Sequence, residues 1–423
     1  MEEFVDTELV LVSGVTAPGV GAVVDRLLTE PGTAVLHHDL ADVTSGVVRR
    51  RLRLSGKGGP SGRIVVSDAT AVLELAHGCV SCTLREDVLP LIRELSRRPS
   101  VRRIVLHLDP ALEPEQVCWA VLHVLLDGTP VAADVQLTGV ITVLDESRFL
   151  ADAASEDDVT GRGLAALPDD ERTIAQLVVG QAEFADLLVL TGGPAEQWLR
   201  ARTEAVLTRL TPLAPCIELA ALDAVSPLAA LPPTARRGVP ESPHATLLRG
   251  QPPLTGDCGV ELLVFTARRP FHPERLHDAM DLLLDGVIRT KGRIWLATRP
   301  DAVLWIESAG GGLQVGYVDD WLAAGDDEAW VKASAERRTS AALRWHPRYG
   351  DRVQELSVLT CGADPAEIED GLRAALLTDA ELLMGEDAWQ RFSDPFGWYH
   401  TDPCGEVIPT RPGSARHPGE DYA

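Results

Sequence analysis

Two cysteines separated by two residues are the most chemically distinctive feature of this sequence. Cys79 and Cys82 follow an apolar segment and precede a run with a helical pattern. Two thiols at this spacing can bind one metal ion, and a helix that starts beside them lowers their pKa. A tetrahedral zinc site needs four ligands, so the pair predicts an incomplete, reversible Zn²⁺ site with His77 as the nearest third ligand. Three other side chains are weaker candidates for that place: Glu74, His37 and His38.

The thiol pair also admits two other interpretations, a redox pair or two inert, buried cysteines. The remaining five cysteines are scattered singly along the chain: Cys118, Cys216, Cys258, Cys361 and Cys404. Seven cysteines in 423 residues do not resemble the disulfide framework of a secreted protein. In a reducing compartment, a close pair more often binds metal or exchanges electrons than it stabilises the fold.

A glycine pattern lies between the first predicted strand and the first predicted helix. Gly14 and Gly19 keep the spacing of the phosphate-binding loop G-x-x-x-x-G-K-[ST]. In that loop the lysine reaches the β- and γ-phosphates and the hydroxyl residue holds Mg²⁺. Here Val20 and Gly21 occupy those two positions. The backbone amides of Gly14, Gly19 and Gly21 can still attract an anion, although a plain tight turn explains the spacing equally well. GTP binding is therefore doubtful, and we expect no hydrolysis.

The surrounding pattern alternates strands, turns and helices. Apolar runs typical of strands occur at residues 8–14, 34–36, 101–107, 137–144 and 187–190, with helical patterns between them, such as 86–97 and 115–126. This alternation predicts a first domain, residues 1–225, of the α/β class with a parallel sheet covered on both faces. Next to the last of these strands, Glu183 and Asp186 are interpreted as a solvated or structural pair, because no Ser or His is placed to form a triad with them.

The second half of the chain has a different composition. Residues 226–258 contain seven prolines and no sustained helical period, which predicts a Pro-rich linker or an extended crossing segment. Residues 259–403 show short strand-like runs and helical patterns, typical of a smaller α+β domain. Residues 404–423 are polar and rich in Pro and Gly, and we expect a disordered tail there.

The charge balance limits the classes of partner. The chain contains 63 acidic and 39 basic side chains, a net charge of −24, which disfavours undirected binding to DNA or to an anionic membrane. No apolar stretch reaches the roughly 18 residues of a membrane-spanning helix. The acidic start of the chain is unlike a secretory signal peptide, which begins with positive charge. We therefore expect a cytoplasmic protein.

Longer motifs give the chain a resemblance to the CobW-like (COG0523-type) P-loop GTPases and zinc metallochaperones. Residues 78–87 resemble that family's G-C-x-C-C-T-L-R-x-D segment, with Ser81 in place of the middle cysteine. In the second half, similar stretches lie at residues 268–276, 289–297, 350–352 and 394–397. The resemblance implies a P-loop NTPase-like parallel-sheet domain followed by a CobW C-terminal α+β domain. It also implies that the thiol pair binds zinc, with one expected ligand missing.

The departures from the family pattern affect nucleotide chemistry. The family's Glu-x-x-Gly strand end falls on residues 107–110, which read His-Leu-Asp-Pro, and its guanine-reading Asn-Lys-x-Asp falls on residues 191–194, which read Thr-Gly-Gly-Pro. Together with the altered phosphate loop, these changes indicate a degenerate GTPase that is indifferent to nucleotide.

The combined pattern is similar to an actinobacterial branch of the family, the ribosome hibernation factor-recruiting proteins of the stress response. This similarity rests on stretches such as residues 77–87 and 180–186. It implies a non-enzymatic, zinc-responsive adaptor whose partners are a hibernation factor and the small ribosomal subunit. The alternative is a zinc metallochaperone with residual GTP binding or GTPase activity. A third, weaker hypothesis is a thiol oxidoreductase built on Cys79 and Cys82.

Overall fold

A computed structural model of the chain describes residues 7–57, 64–75, 78–193, 196–229 and 231–397. Two large β-sheets organise these residues, and two short strands form a third sheet. The strands of the first part are β1 Glu8–Ser13, β2 Thr33–Asp39, β3 Val47–Lys57, β4 Ile64–Glu74, β5 Arg103–His107, β6 Leu125–Leu126, β7 Thr129–Pro130, β8 Gln136–Asp145, β9 Leu187–Thr191 and β10 Cys216–Glu218. Its helices are α1 Ala17–Leu28, α2 Val80–Thr83, α3 Leu89–Ser96, α4 Pro114–His123, α5 Phe149–Ala153, α6 Ile174–Phe184 and α7 Gln197–Leu210.

The first sheet has eight strands in the order β10-β9-β8-β1-β5-β2-β3-β4. The six strands from β10 to β2 pair in parallel, whereas β3 and β4 form an antiparallel hairpin at one edge. The predicted α/β class is therefore confirmed, with an antiparallel extension that the apolar runs did not predict. Arginines at positions 49, 50, 51 and 53 of β3 interrupt the alternation of apolar and polar residues that identifies a strand.

Helices cover both faces of this sheet. Alternate residues of β1 contribute to two different apolar clusters, one with Leu9 and Leu11 and the other with Val10 and Val12. The first cluster contains the apolar faces of α3 and α4, and the second contains that of α1. Because side chains alternate along a strand, a central strand with four consecutive apolar residues is buried on both sides.

The second sheet is antiparallel throughout. Its strands are β11 Val260–Ala267, β12 Val287–Ile294, β13 Ala302–Ala309, β14 Gly312–Asp320 and β15 Gln354–Cys361, in the order β11-β15-β12-β13-β14. Its helices are α8 Pro273–Asp278, α9 Asp327–Lys332, α10 Ala335–Arg344, α11 Pro365–Ala375, α12 Asp379–Met384 and α13 Glu386–Trp389. Within the described ranges, no helix combines the length and the apolar character needed to cross a membrane.

The Pro-rich segment 226–258 has no helix or strand among its described residues, yet it packs against the first domain. Leu228 and Leu231 are each 8% exposed and belong to the cluster that contains α1. Further along, the backbone amides of Arg237 and Gly238 donate to the carboxylate of Asp186 at 2.6 and 2.9 Å. The segment is thus a packed crossing segment. The predicted tail, residues 404–423, lies outside the described residues.

Candidate functional site

The thiol pair lies on a short turn, residues 78–83, between β4 and α3; we call it the thiol turn. Cys79 caps the N-terminus of α2 with extended backbone angles, and its Sγ accepts a hydrogen bond from the backbone amide of Cys82 at 3.3 Å. The two Sγ atoms are 2.9 Å apart, and both side chains are half-buried. The backbone of the thiol turn therefore brings the two sulfur atoms together.

A glycine allows the thiol turn to approach the segment that follows β2. A Cβ added at Gly78 would lie 2.3 Å from the carbonyl oxygen of Val43 and 2.8 Å from that of Thr44. No larger residue tolerates this approach to backbone atoms. On the other side of the pair, the Oγ1 of Thr83 donates to the carbonyl oxygen of Cys79 at 3.1 Å. These contacts hold both ends of the thiol turn.

A partly buried cluster of polar side chains fixes the helix that follows the cysteines. The chain passes from α2 into a π-helical turn, Leu84–Val88, and then into α3. Within the π-helical turn, one carboxylate oxygen of Asp87 lies 2.6 Å from Nε2 of His38, and the other accepts from Arg50 at 2.6 Å. His38 is 4% exposed. The sequence offered His38 only as a weak metal ligand, whereas the structure uses it as an anchor for Asp87.

We expect Asp87→Asn to lower the free energy of unfolding by about 1–3 kcal/mol, because Arg50 and His38 lose their charged partner in a half-buried place. Since Asp87 fixes the helical turn that directly follows the thiol turn, zinc affinity should also fall about tenfold. Urea denaturation and a zinc competition titration measure the two effects. Asp68→Asn is the matched control, because it removes an exposed ion pair with Arg51 on the same hairpin and should change stability by less than about 1 kcal/mol. Equal zinc affinity in wild type and Asp87→Asn would contradict the positioning role.

The thiol turn brings together two potential zinc ligands. No group of three or more His, Cys, Asp or Glu side chains in the described part of the chain is arranged to hold a metal ion. His37 stacks on His107 with ring centroids 4.2 Å apart, and His38 is held by Asp87. His77 lies outside the described residues. Tetrahedral zinc holds two sulfurs about 3.8 Å apart, so a small side-chain rotation would fit the pair to one ion in an open, two-sulfur arrangement.

The first β–α connection, which contains the start of the glycine pattern, is short. Only Gly14, Val15 and Thr16 separate β1 from α1, so Gly19 and Gly21 lie inside the helix. The amide of Val20, at the position of the loop's lysine, already donates to the carbonyl oxygen of Thr16 at 3.0 Å. The amides that would surround a phosphate in this loop are therefore partly used by the helix itself.

The two glycines of the pattern pack closely against neighbouring strands. A Cβ at Gly19 would be 2.7 Å from Oγ1 of Thr191, and one at Gly14 would be 2.6 Å from the carbonyl oxygen of Val143. Val20 is 2% exposed and belongs to the apolar core. A cavity of about 10 Å³, lined in part by Thr16 and Asp145, has room for roughly one water molecule. The open space beside this connection is therefore small.

The strand ends that serve Mg²⁺ and guanine in related loops have other contacts here. Asp109 accepts hydrogen bonds from the backbone amides of Leu40 and Ala111, both at 3.0 Å, so its carboxylate stabilises the backbone. Burial, reinforced by His37, lowers the pKa of His107 to about 3, which keeps that ring neutral. After β9, a Cβ at Gly192 would meet the carboxylate of Asp145 at 2.2 Å.

Comparisons with known proteins agree with the two-domain arrangement. Residues 56–216 match the CobW/HypB/UreG nucleotide-binding domain, and residues 260–376 match the cobalamin synthesis protein CobW C-terminal domain. The zinc chaperone Rv0106 of Mycobacterium tuberculosis is 46% identical over 408 residues, 95% of each chain. The zinc-regulated GTPase metalloprotein activator 1 of Dictyostelium discoideum is 27% identical over 336 residues, 77% of this chain and 70% of the relative. Among solved structures, the Zn(II)-bound YjiA GTPase from E. coli covers 88% of this chain and 99% of its own, at 14% identity and a TM-score of 0.37.

Proposed function

Because this chain belongs to the CobW-like family, we propose that it is a zinc metallochaperone that carries its ion on Cys79 and Cys82. The observation that carries the proposal is the pair of sulfur atoms 2.9 Å apart at the start of a helix, with no third ligand among the described residues. A relative 46% identical over 95% of both chains is named a zinc chaperone, which supports the same conclusion.

An open two-sulfur site suits transfer better than storage. Thiolate is the form of cysteine that binds zinc, so loading releases a proton from any thiol that is still protonated. Structural zinc sites close four protein ligands around the ion, whereas an open position leaves space for a ligand from another molecule. An acceptor thiolate or imidazole can therefore enter before the ion leaves Cys79 and Cys82. In this proposal, Asp87 and Gly78 keep the sulfurs convergent while ligands exchange.

Zinc loading and transfer test this proposal. Apoprotein mixed with zinc and a chromophoric chelator should retain one ion per chain, and the loaded protein should then deliver that ion to an apo zinc protein. Prior alkylation of the thiols should abolish both steps. Failure to retain zinc against a weak chelator would refute the carrier function. Retention of zinc with no transfer to any acceptor would instead indicate a structural site.

We also propose that carriage of zinc proceeds without a nucleotide held at the first β–α connection. The wild-type protein should show no saturable GTP binding at millimolar GTP and Mg²⁺ in calorimetry. The variant Val20→Lys/Gly21→Ser recreates the missing motif letters, yet it should not restore binding. It should instead lose at least about 3 kcal/mol of stability, because a charged side chain would enter the apolar core. Micromolar GTP binding by the wild type would refute this part of the proposal.

The adaptor function in ribosome hibernation stays a prediction carried by sequence resemblance alone, and the names of the relatives support zinc delivery better. Co-sedimentation with ribosomes and a hibernation factor, in zinc-replete and zinc-chelated buffer, tests it. Zinc-dependent co-sedimentation would support an adaptor whose switch is the thiol turn. If the protein stays in the supernatant under both conditions, the adaptor function is contradicted and zinc transport by this chain remains the proposed function.

A further inference from the structure

A cavity of about 490 Å³ lies between the two domains, remote in sequence from the thiol turn. Its walls come from the start of α4, from α6, from the crossing segment around residues 236–247 and from β12–β14. Ligand sites in proteins commonly occupy about 300–1,000 Å³ and prefer the boundary between domains. The size and position of this interdomain cavity are therefore those of a small-molecule site, and its lining shows which chemistry it would accept.

The lining is highly charged and balanced in sign. It contains five basic side chains, Arg172, Arg236, Arg289, Lys291 and Arg293, and five acidic ones, Glu113, Glu115, Glu183, Glu241 and Glu307. A polyanion such as a nucleotide would meet as many carboxylates as cations. The net charge of the lining therefore favours neither a simple anion nor a simple cation.

Most of these charges neutralise one another within the walls. Glu183 lies 2.9 Å from Arg289 and also pairs with Lys291, while Arg289 pairs with Glu307 at 2.8 Å. The other close pairs are Arg172 with Glu113, Arg293 with Glu355, and Glu241 with Arg249. Groups already paired at hydrogen-bond distance gain little from a ligand charge, because the ligand would have to displace the existing partner.

Two opposite charges remain without such a partner. Arg236 comes no closer than 3.8 Å to Glu241, whose other carboxylate oxygen accepts from Arg249 at 2.7 Å. The Arg236 guanidinium instead lies over the ring of Phe184, 4.6 Å from its centroid. Across the described residues, no ion pair joins Glu115 to a cation. Burial raises the pKa of Glu115, and the field of Arg236 opposes that rise.

We propose that the interdomain cavity binds a small zwitterion, either a free α-amino acid or a short peptide, with its carboxylate at Arg236 and its ammonium group at Glu115. An arginine held flat against an aromatic ring presents its edge to a carboxylate. An ammonium group beside Glu115 would give that carboxylate the hydrogen-bonded cationic partner that it lacks among the described residues. Trp305, which also lines the cavity, supplies apolar surface for the remainder of the ligand.

Thermal shift and calorimetry of the full-length protein test the proposal. The probes are the twenty α-amino acids singly and dialanine, each at millimolar concentration. N-acetylalanine amide, inorganic phosphate and methylamine are the controls that lack one or both charges. At least one zwitterion should raise the melting temperature and bind saturably. Comparing dialanine with free alanine shows whether the cavity prefers a short peptide or a free amino acid. Stabilisation by phosphate alone, or by none of the zwitterions, would overturn the proposal.

Variants locate the binding. Arg236→Gln and Glu115→Gln should each weaken the zwitterion about tenfold or more, because each removes one charged contact. Arg237→Gln, at an exposed neighbour outside the lining, and Glu204→Gln, on the exposed face of α7, should bind like the wild type. Should Arg236→Gln unfold, Glu115→Gln still decides the question, because Glu115 is exposed to the cavity and supports no ion pair. Unchanged affinity in Glu115→Gln would overturn the assigned orientation.

Discussion

The double variant Cys79→Ser/Cys82→Ser is expected to lose at least about a hundredfold in zinc affinity. The two sulfur atoms of the thiol turn lie 2.9 Å apart, whereas serine hydroxyls stay protonated at neutral pH and bind zinc weakly. A soft sulfur ligand is also the type that holds zinc against harder competitors. The measurement is competition with a chromophoric chelator, combined with Co²⁺ substitution, in which the sulfur-to-cobalt charge-transfer band should disappear.

Two further variants make this result specific. Cys216→Ser changes an exposed cysteine remote from the thiol turn and should leave zinc affinity unchanged. Ser81→Cys adds a third thiol at an exposed position between the pair, and it should tighten zinc about tenfold while slowing its transfer to an acceptor. Zinc affinity in the double serine variant equal to that of the wild type would place the ion elsewhere and refute the proposed function.

Removing the buried carboxylate that joins the two domains should have the second large effect. Glu183, on α6, pairs with Arg289 and Lys291 on β12, and all three side chains are less than a fifth exposed. Glu183→Gln leaves Lys291 without its anionic partner at the domain boundary. Breaking a buried pair from one side costs about 3–5 kcal/mol, so the urea midpoint should fall clearly. The double variant Glu183→Gln/Lys291→Met should recover part of the loss, because no unpaired charge remains.

The same pair gives a pH dependence with a defined sign. Burial opposes ionisation of Glu183, but Arg289 and Lys291 outweigh it and lower its pKa to about 2 from an ordinary value near 4.5. A carboxylate with a depressed folded-state pKa stabilises the protein fully above its unfolded-state pKa and loses that effect as the pH falls. The stability difference between wild type and Glu183→Gln should stay constant above about pH 4.5 and narrow toward pH 2. A difference that grows on acidification would contradict this assignment.

Much of the first domain was predictable because its strongest signals are local. Leu9 to Val12 form an unbroken apolar run, and a run of that kind is buried on both faces of a parallel sheet wherever it occurs. The edge hairpin β3–β4 was not predictable in the same way, since Arg49 and its neighbours obscure the period of two. Those arginines find acidic partners only after folding, as Arg51 does with Asp68 and Arg53 with Asp25.

The candidate site also has features that the sequence predicted and features that it did not predict. The spacing of Cys79 and Cys82 predicted directly that their two sulfur atoms lie close together. Residues three positions apart at the start of a helix lie on the same side of its first turn. The support of that turn was missed: Asp87 contacts His38, 49 residues away, and Gly78 contacts the backbone near Val43. The sequence interpreted Glu183 and Asp186 as a solvated or structural pair; in the structure Glu183 forms ion pairs with Arg289 and Lys291 of β12. No local pattern identifies contacts between residues so far apart along the chain.

By itself, the sequence determined which side chains are available: two thiols at metal-binding spacing, and a valine where a phosphate-binding loop carries its lysine. Only the tertiary structure decided whether the glycines beside that valine form a loop or lie within a packed helix. Gly19 packs against Thr191, 172 positions later, and α1 begins early enough to use the amides that a phosphate would need. The interdomain cavity could not be predicted from the sequence either, because its charged side chains come from four separate segments of the chain. Which of these charges remain unpaired depends on distances that exist only in the folded protein.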